Sequence, residues 1–172
     1  MTDANAQVRI IGEVNDALKA AGIRCWLFGG WGLDAHVGRQ TRAHSDIEFW
    51  VEMSDAGALH TVLVRCGFAA LTTQPPEESQ EFERDGLRFS CAFFVRTDDE
   101  SAHPEGRWSD WQFPPGSFGD GIGKVGARAV PVMSVEGMLA MKEQYSKLRN
   151  GRPLREKDIA DIAVLRALLR TP

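Results

Sequence analysis

The sequence is poor in several features that would place a chain at once. It holds only three cysteines, Cys25, Cys66 and Cys91, an odd number without CxxC spacing. That argues against a disulfide scaffold and against a structural zinc site. All three lie in apolar stretches and are expected to be buried thiols. No run of about 18 apolar residues is present, and no basic–apolar–small leader opens the chain, so a cytoplasmic protein without a membrane span is expected. Basic excess is lacking too: 20 Lys and Arg stand against 24 Asp and Glu, a net charge of −4. Nucleic acid is therefore not the expected main partner, since such proteins carry a basic patch. A metal–nucleotide held by a few local charges, or a cationic substrate, suits this balance better. There is no internal repeat and no long linker. A single domain over residues 1–172, with a helical tail over about 134–172, is the expectation.

What is present is enough for an ordinary core, because 43% of the residues are hydrophobic. Val8, Ile11, Val14 and Leu18 recur at helical spacing before Gly22. Residues 25–28 read as a buried strand, ended by Gly29-Gly30, with a short helix over 31–37. Residues 47–51 form a second strand. Ser54 or Asp55 can cap a helix reaching Cys66. Residues 72–80 read as a polar loop. Residues 81–84 and 87–95 form a hairpin across Asp85-Gly86. Residues 97–121 show no period, and long irregular stretches in compact domains are often functional. A second hairpin covers 122–125 and 128–132. Ser134 caps a helix to about 148, and a last helix over 156–169 is expected to bury Ile159, Ile162, Leu165 and Leu169. This order suits an α+β fold with a mixed sheet, not a doubly wound Rossmann sheet.

The chemistry concentrates in residues 26–51, WLFGGWGLDAHVGRQTRAHSDIEFWV. A glycine pair after a buried strand lets backbone approach a ligand closely, and the N–H groups opening the next helix favour phosphate. Asp46 and Glu48 sit two apart on a strand and share a face. Two such carboxylates repel unless a cation joins them, and Mg²⁺ binds through a few carboxylates plus substrate phosphates. Arg39, Thr41, Arg42 and His44 add donors beside the acids. Alone, a Gly-Gly is a turn and a D-x-E is a solvated strand face; together at this range they read as a metal–nucleoside triphosphate site.

Residues 29–48 resemble the signature of the antibiotic nucleotidyltransferases, the lincosamide and aminoglycoside enzymes: GGWxxD followed by GRxTRxHxDxD. The matching positions are Gly29, Gly30, Trp31, Asp34, Gly38, Arg39, Thr41, Arg42, His44 and Asp46. Weaker likeness extends to Asp98-Asp99, to residues 103–106 and, in the C-terminal helices, to Lys142, Tyr145, Lys157-Asp158 and Asp161-Ile162. The resemblance implies a nucleotidyltransferase-like mixed sheet flanked by helices, with a short C-terminal helical tail. It implies transfer of a nucleoside monophosphate, usually AMP from Mg-ATP, to a hydroxyl of a small molecule. Gly29, Gly30 and Trp31 would hold the triphosphate, with the donors Arg39, Thr41, Arg42 and His44 beside it, and Asp46 and Glu48 would hold Mg²⁺ and act in catalysis; Lys142 either meets a phosphate from the helical tail or is a plain surface lysine.

Two departures stand out. Glu48 replaces the second Asp of the resembled pattern. Its third carboxylate, counted back from Asp98-Asp99, falls on Ser90, which is neither a base nor a strong Mg²⁺ ligand. Glu83 or Glu81 on the neighbouring strand is the expected substitute, Glu83 first. The alternative is a catalytically impaired member of the fold that serves as a nucleotide-binding or regulatory module. Trp108, Trp111 and Phe113 either pack over a ligand ring or form a satellite core. The acidic run of Glu77, Glu78, Glu81, Glu83 and Asp85 is a solvated loop or an attractor for a cationic aminoglycoside.

Overall fold

A computed structural model describes residues 4–97, 101–148 and 150–170; Asp98 and Asp99 lie outside the described residues. Five helices, α1 (Ala4–Ala20), α2 (Gly29–Val37), α3 (Ala56–Arg65), α4 (Val135–Leu148) and α5 (Glu156–Arg170), surround a mixed sheet. Its strands are β1 (Cys25–Phe28), β2 (Ile47–Glu52), β3 (Ala69–Leu71), β4 (Ser79–Arg84), β5 (Leu87–Arg96) and β6 (Ala102–Pro104). They lie in the order β1-β2-β5-β4-β3, and β6 pairs with the far end of β5. The β2–β5 pair is parallel and the remaining pairs are antiparallel. A separate hairpin joins β7 (Ile122–Val125) to β8 (Arg128–Pro131). The α+β class expected from the element order is the class observed.

Strand alternation divides the sheet into two working faces. Ile47, Phe49 and Val51 of β2, with Phe89, Cys91 and Phe93 of β5, join Ile10, Ile11, Val14 and Leu18 of α1 and Leu59 and Leu63 of α3 in one apolar cluster. Trp26, Phe28, Trp50 and Phe94 point the other way, into a second cluster closed by Met138 and Met141 of α4, Leu165 of α5 and the loop residues Phe113 and Phe118. Glu48, between Phe49 and Ile47 in β2, shares the Trp50 face. The charged site therefore shares a face with the second cluster, under α4 and α5.

Local signals explain most boundaries. Both residues of the Asp85-Gly86 turn have positive φ, +55° and +74°, which gives the twist a two-residue hairpin needs. Ser134 accepts the Gly137 N–H at 3.0 Å and so caps α4. Other expectations need correction. Gly29-Gly30 is the first turn of α2 itself, not a link before it. Asp55 makes no side-chain cap; a 3₁₀ turn, Met53–Asp55, leads into α3 instead. Cys66 is exposed, because it follows the last turn of α3, while Cys25 and Cys91 are buried, and burial pushes the Cys25 thiol up to about 12. In α5 the expected face is turned: Ile159 and Leu169 are 56% and 43% exposed, whereas Asp158 and Asp161 are buried with Ile162 and Leu165. No helix among the described residues is long and apolar enough to cross a membrane.

Candidate active site

β1 delivers the chain to Gly29 at the head of α2. Gly29 has φ +66°, and a Cβ there would overlap the Glu48 carboxylate; a Cβ at Gly30 would overlap the His44 ring. The glycine pair thus makes room for an acid and an imidazole against the first helical turn. Phe28 at the N-cap offers no side-chain hydrogen bond, so no side chain caps the leading N–H groups of α2.

Asp46 is exposed at the mouth of this cleft and accepts a 2.6 Å hydrogen bond from Ser45 Oγ. Glu48 lies deeper. Burial raises its carboxyl above the ordinary value and the neighbouring Asp46 raises it further, while Lys142, Lys157 and Arg155 pull it back. Asp46 and Glu48, opposed by Arg42, Lys142, Arg155 and Lys157, line a cleft of about 80 Å³ with Gly29, Gly30 and Tyr145. No group of three or more His, Cys, Asp or Glu among the described residues is placed to hold a metal. The donor set for a divalent ion is therefore two carboxylates, which fits Mg²⁺ completed by phosphate oxygens and water.

The loop between α2 and β2 is fixed by an internal relay. Asp34 Oδ1 accepts the Thr41 N–H at 3.0 Å and the Thr41 hydroxyl at 2.5 Å. Asp34 Oδ2 lies 2.5 Å from His44 Nε2, and His44 Nδ1 lies 2.9 Å from Arg42 Nη1. A guanidinium can only donate, so Nδ1 accepts and the imidazole proton sits on Nε2, directed at Asp34. Arg42 continues to Asp161 at 2.9 Å, and Lys142 Nζ meets Asp161 at 2.8 Å and Asp158 at 3.5 Å. Arg155 closes the chain on Asp158 at 2.6 and 2.9 Å. Burial pulls the Asp158 and Asp161 carboxyls upward, but hydrogen bonds from Arg155, Arg42 and Lys142 outweigh it and hold both below the usual carboxylate range. This network explains why α5 turns its acids inward.

The structure therefore brings together Gly29, Gly30, Arg42, His44, Asp46, Glu48 and Lys142. It does not bring Trp31, Arg39 or Thr41 to the cleft. Trp31 is buried in the first apolar cluster with its ring 4.8 Å from that of His44, and with exposed Arg39 it borders a different groove. Thr41 spends its hydroxyl on Asp34. Arg155 also borders the cleft, and its place three residues before Asp158, at the head of α5, is the signal the sequence carries for it.

Register settles the geometry around Ser90. Ser90 pairs with Glu48 on one side and Glu81 on the other, so Phe28, Glu48, Ser90 and Glu81 form one cross-strand row. Glu83 pairs with Arg88 instead and forms a 2.7 Å ion pair with it. Glu81, not Glu83, is the acid opposite Ser90. The two-residue turn at 85–86 already implied this, because it pairs Arg84 with Leu87 and every residue outward from there. Thr73 donates to Glu81 Oε2 at 2.5 Å and leaves Oε1 without that bond.

One step along the strands lies a second row, Trp26, Trp50, Ala92 and Ser79. Trp50, Ala92 and Ser79 of this row floor a cavity of about 330 Å³ walled by Phe28, Trp108, Trp111, Met141 and Tyr145. Tyr145 and Arg155 border both this cavity and the acidic cleft. Burial, with the Glu48 charge adding to it, raises the Tyr145 phenol, which stays protonated.

An open helix start beside Glu48 on β2 and Asp46 just before that strand, on a small mixed sheet, is the arrangement of a nucleotidyltransferase fold. The aminoglycoside-2''-adenylyltransferase family model matches residues 10–165, and the chain belongs to that family. It is 33% identical over 61 residues to a 2''-aminoglycoside nucleotidyltransferase of Escherichia coli. That match takes in 36% of this chain but only 34% of that protein, about a third of the relative's length. Among solved structures, the antibiotic-resistance factor ANT(2'')-Ia superposes with a TM-score of 0.80 at 21% identity, over 97% of this chain and 86% of that one. Its crystal complex with adenylyl-2''-tobramycin gives 0.77 at 22%, over 95% and 90%. The lincomycin-bound lincosamide adenylyltransferase LnuA gives 0.67 at 24%, over 89% and 92%.

Proposed function

We propose that the chain transfers AMP from Mg-ATP to a hydroxyl of a small-molecule antibiotic. The observation that carries this reading is the placement of Asp46 and Glu48 against the uncapped start of α2 at Gly29-Gly30. The matched family and the adenylyl-tobramycin complex of its structural neighbour support the choice of adenylate and of an antibiotic acceptor. Asp46 and Glu48 would hold Mg²⁺, which supplies charge neutralisation at the α-phosphate and the leaving pyrophosphate. The α2 N–H groups receive the terminal phosphates, and Arg42, Lys142 and Lys157 stand where they offset remaining negative charge. The acceptor oxygen attacks the α-phosphorus from the side opposite the glycines. The bond to the β-phosphate bridging oxygen breaks, pyrophosphate leaves, and the hydroxyl proton passes to Glu81.

Ser90 favours a second reading, a nucleotide-binding member of the family that does not turn over. Glu81 in register with Ser90 weighs against it. Incubation with ATP, GTP, CTP or UTP, Mg²⁺ and an antibiotic panel, read by mass spectrometry, tests both. Adenylylated product is expected. Tight Mg-ATP binding without product from any acceptor would favour the second reading.

A further inference from the structure

His44 borders the acidic cleft, yet its imidazole has no nitrogen to spare for a ligand. The side chain is 2% exposed. Nε2 donates to Asp34 and Nδ1 accepts from Arg42. The ring lies 4.8 Å from that of Trp31 on α2, and the His44 carbonyl accepts the buried Gln7 amide of α1 at 3.2 Å. An imidazole held at both nitrogens and packed on one face cannot turn toward a phosphate without breaking a buried hydrogen bond.

Arg42 is the opposite case, with a side chain 29% exposed at the same cleft. A guanidinium carries five N–H donors. Among the described residues, Nη1 donates to His44 Nδ1 at 2.9 Å and to the Ala43 carbonyl at 3.3 Å. Nε and Nη2 donate to Asp161 at 3.4 and 2.9 Å. One N–H is left after these four bonds, and it is on Nη2. A Cβ on Gly30 would come within 3.0 Å of Nη2, so that donor stands against the first turn of α2. The bonds also have a direction. The Asp34 carboxylate can only accept, so it keeps the imidazole proton on Nε2 and leaves a lone pair on Nδ1 facing Arg42. The other tautomer would set two donors against each other.

We infer that Asp34 and His44 are positioning residues for the nucleotide: Asp34 fixes the His44 tautomer, His44 together with Asp161 fixes the Arg42 guanidinium, and of Asp34, His44 and Arg42 only Arg42 meets the triphosphate. The identity of the ligand rests on the nucleotidyl-transfer reading. His44 thereby leaves the set of phosphate donors expected from the sequence and becomes the support of one.

The test is a double-mutant cycle on the full chain, read as Mg-ATP affinity by calorimetry. Arg42→Met should weaken Mg-ATP about tenfold or more, because it removes a charged donor. His44→Gln lays its amide N–H over Nε2 and keeps the bond to Asp34, but offers Arg42 no acceptor. It should weaken Mg-ATP about fivefold or more in the wild-type background and less than about twofold in Arg42→Met. His44→Asn, whose amide oxygen lies over Nδ1, should keep more of the affinity than His44→Gln. Asp34→Asn adds a readout that packing alone would not move. Thr41 holds the amide oxygen with two bonds, so the amide N–H group faces Nε2 and drives the imidazole proton to Nδ1. Nitrogen NMR of the four histidines should show His44 as the Nε2–H tautomer in wild type and as the Nδ1–H tautomer in Asp34→Asn, with weaker Mg-ATP binding. Should His44→Gln fail to fold, as a thermal melt would reveal, Asp34→Asn replaces it in the cycle. Equal losses from His44→Gln in both backgrounds would make His44 a phosphate ligand in its own right and overturn the inference. So would an Nδ1–H tautomer in wild type, or wild-type affinity in His44→Gln. These three outcomes leave the nucleotidyl-transfer reading standing, whereas a wild type that binds no Mg-ATP overturns that reading and the positioning roles with it.

Discussion

Glu48 and Glu81 flank Ser90, one from each neighbouring strand, in a single row across the sheet. Adjacent strands lie about 4.8 Å apart, so their backbones are separated by roughly 10 Å with only a serine hydroxymethyl between them. A small central residue leaves space for both longer side chains to lean inward. In the proposed reaction Glu81, one strand outward, takes the part that Ser90 cannot play.

Glu81→Gln is therefore expected to lower kcat by about 10²–10⁴-fold, the usual contribution of a general base, with little change in the KM for Mg-ATP. Glu83→Gln should leave kcat within about twofold, because that side chain serves the Arg88 pair. Ser90→Asp placed in the Glu81→Gln background should restore part of the rate. Steady-state kinetics decide it, and full turnover by Glu81→Gln would remove Glu81 from the reaction.

Asp46→Asn should abolish the metal-dependent part of nucleotide binding. The change removes one charge and roughly preserves shape, so it separates a metal ligand from a packing role. Calorimetry with ATP in Mg²⁺ and in chelator makes the comparison. Equal wild-type affinity in both buffers would reject a two-acid metal site.

Gly29→Ala tests the close approach of helix and acid. The added Cβ meets the Glu48 carboxylate, and φ +66° adds about 1–2 kcal/mol of backbone cost for an L side chain. Loss of Mg-nucleotide affinity together with a lowered melting temperature is expected. Unchanged binding would show that the Glu48 carboxylate can leave this position at no cost to the site.

Much of the site was readable from local pattern. The glycine pair, Asp46 and Glu48 lie within 20 residues, and the intervening helix and turn bring them to one end of the sheet. The donors beside them have partners the pattern does not show. Thr41 and His44 carry the right groups, but Asp34, buried on α2, claims them, and a one-dimensional pattern does not say which partner wins. Helix α5 shows the same limit. Apolar spacing predicts a face with Ile159 and Leu169, yet ion pairs to Lys142 of α4 and Arg42 of the α2–β2 loop, with Arg155 just before the helix, turn Asp158 and Asp161 inward. β3 has no signature in the sequence, because Ala69-Ala70-Leu71 lacks alternation and is made a strand only by pairing with β4.

Lys142 joins these levels, because it is buried between Asp158 and Asp161 while also bordering the cleft. Lys142→Met keeps the bulk and removes the charge, leaving two buried acids with fewer cations. Breaking a buried pair in this way costs about 3–5 kcal/mol. The sign with pH follows from the carboxyls. In wild type both sit below their unfolded value of about 3.9, so their stabilising contribution is complete above that value and is lost as pH falls through the depressed folded values. Without Lys142 the carboxyls rise, and that contribution shrinks or reverses. The loss of stability in Lys142→Met should therefore be largest near neutral pH and should narrow toward pH of about 3, where protonated acids no longer need a cation. Melting temperatures of both proteins across this range provide the measurement, and a difference that stays constant with pH would mean that Lys142 acts through packing of its alkyl chain alone.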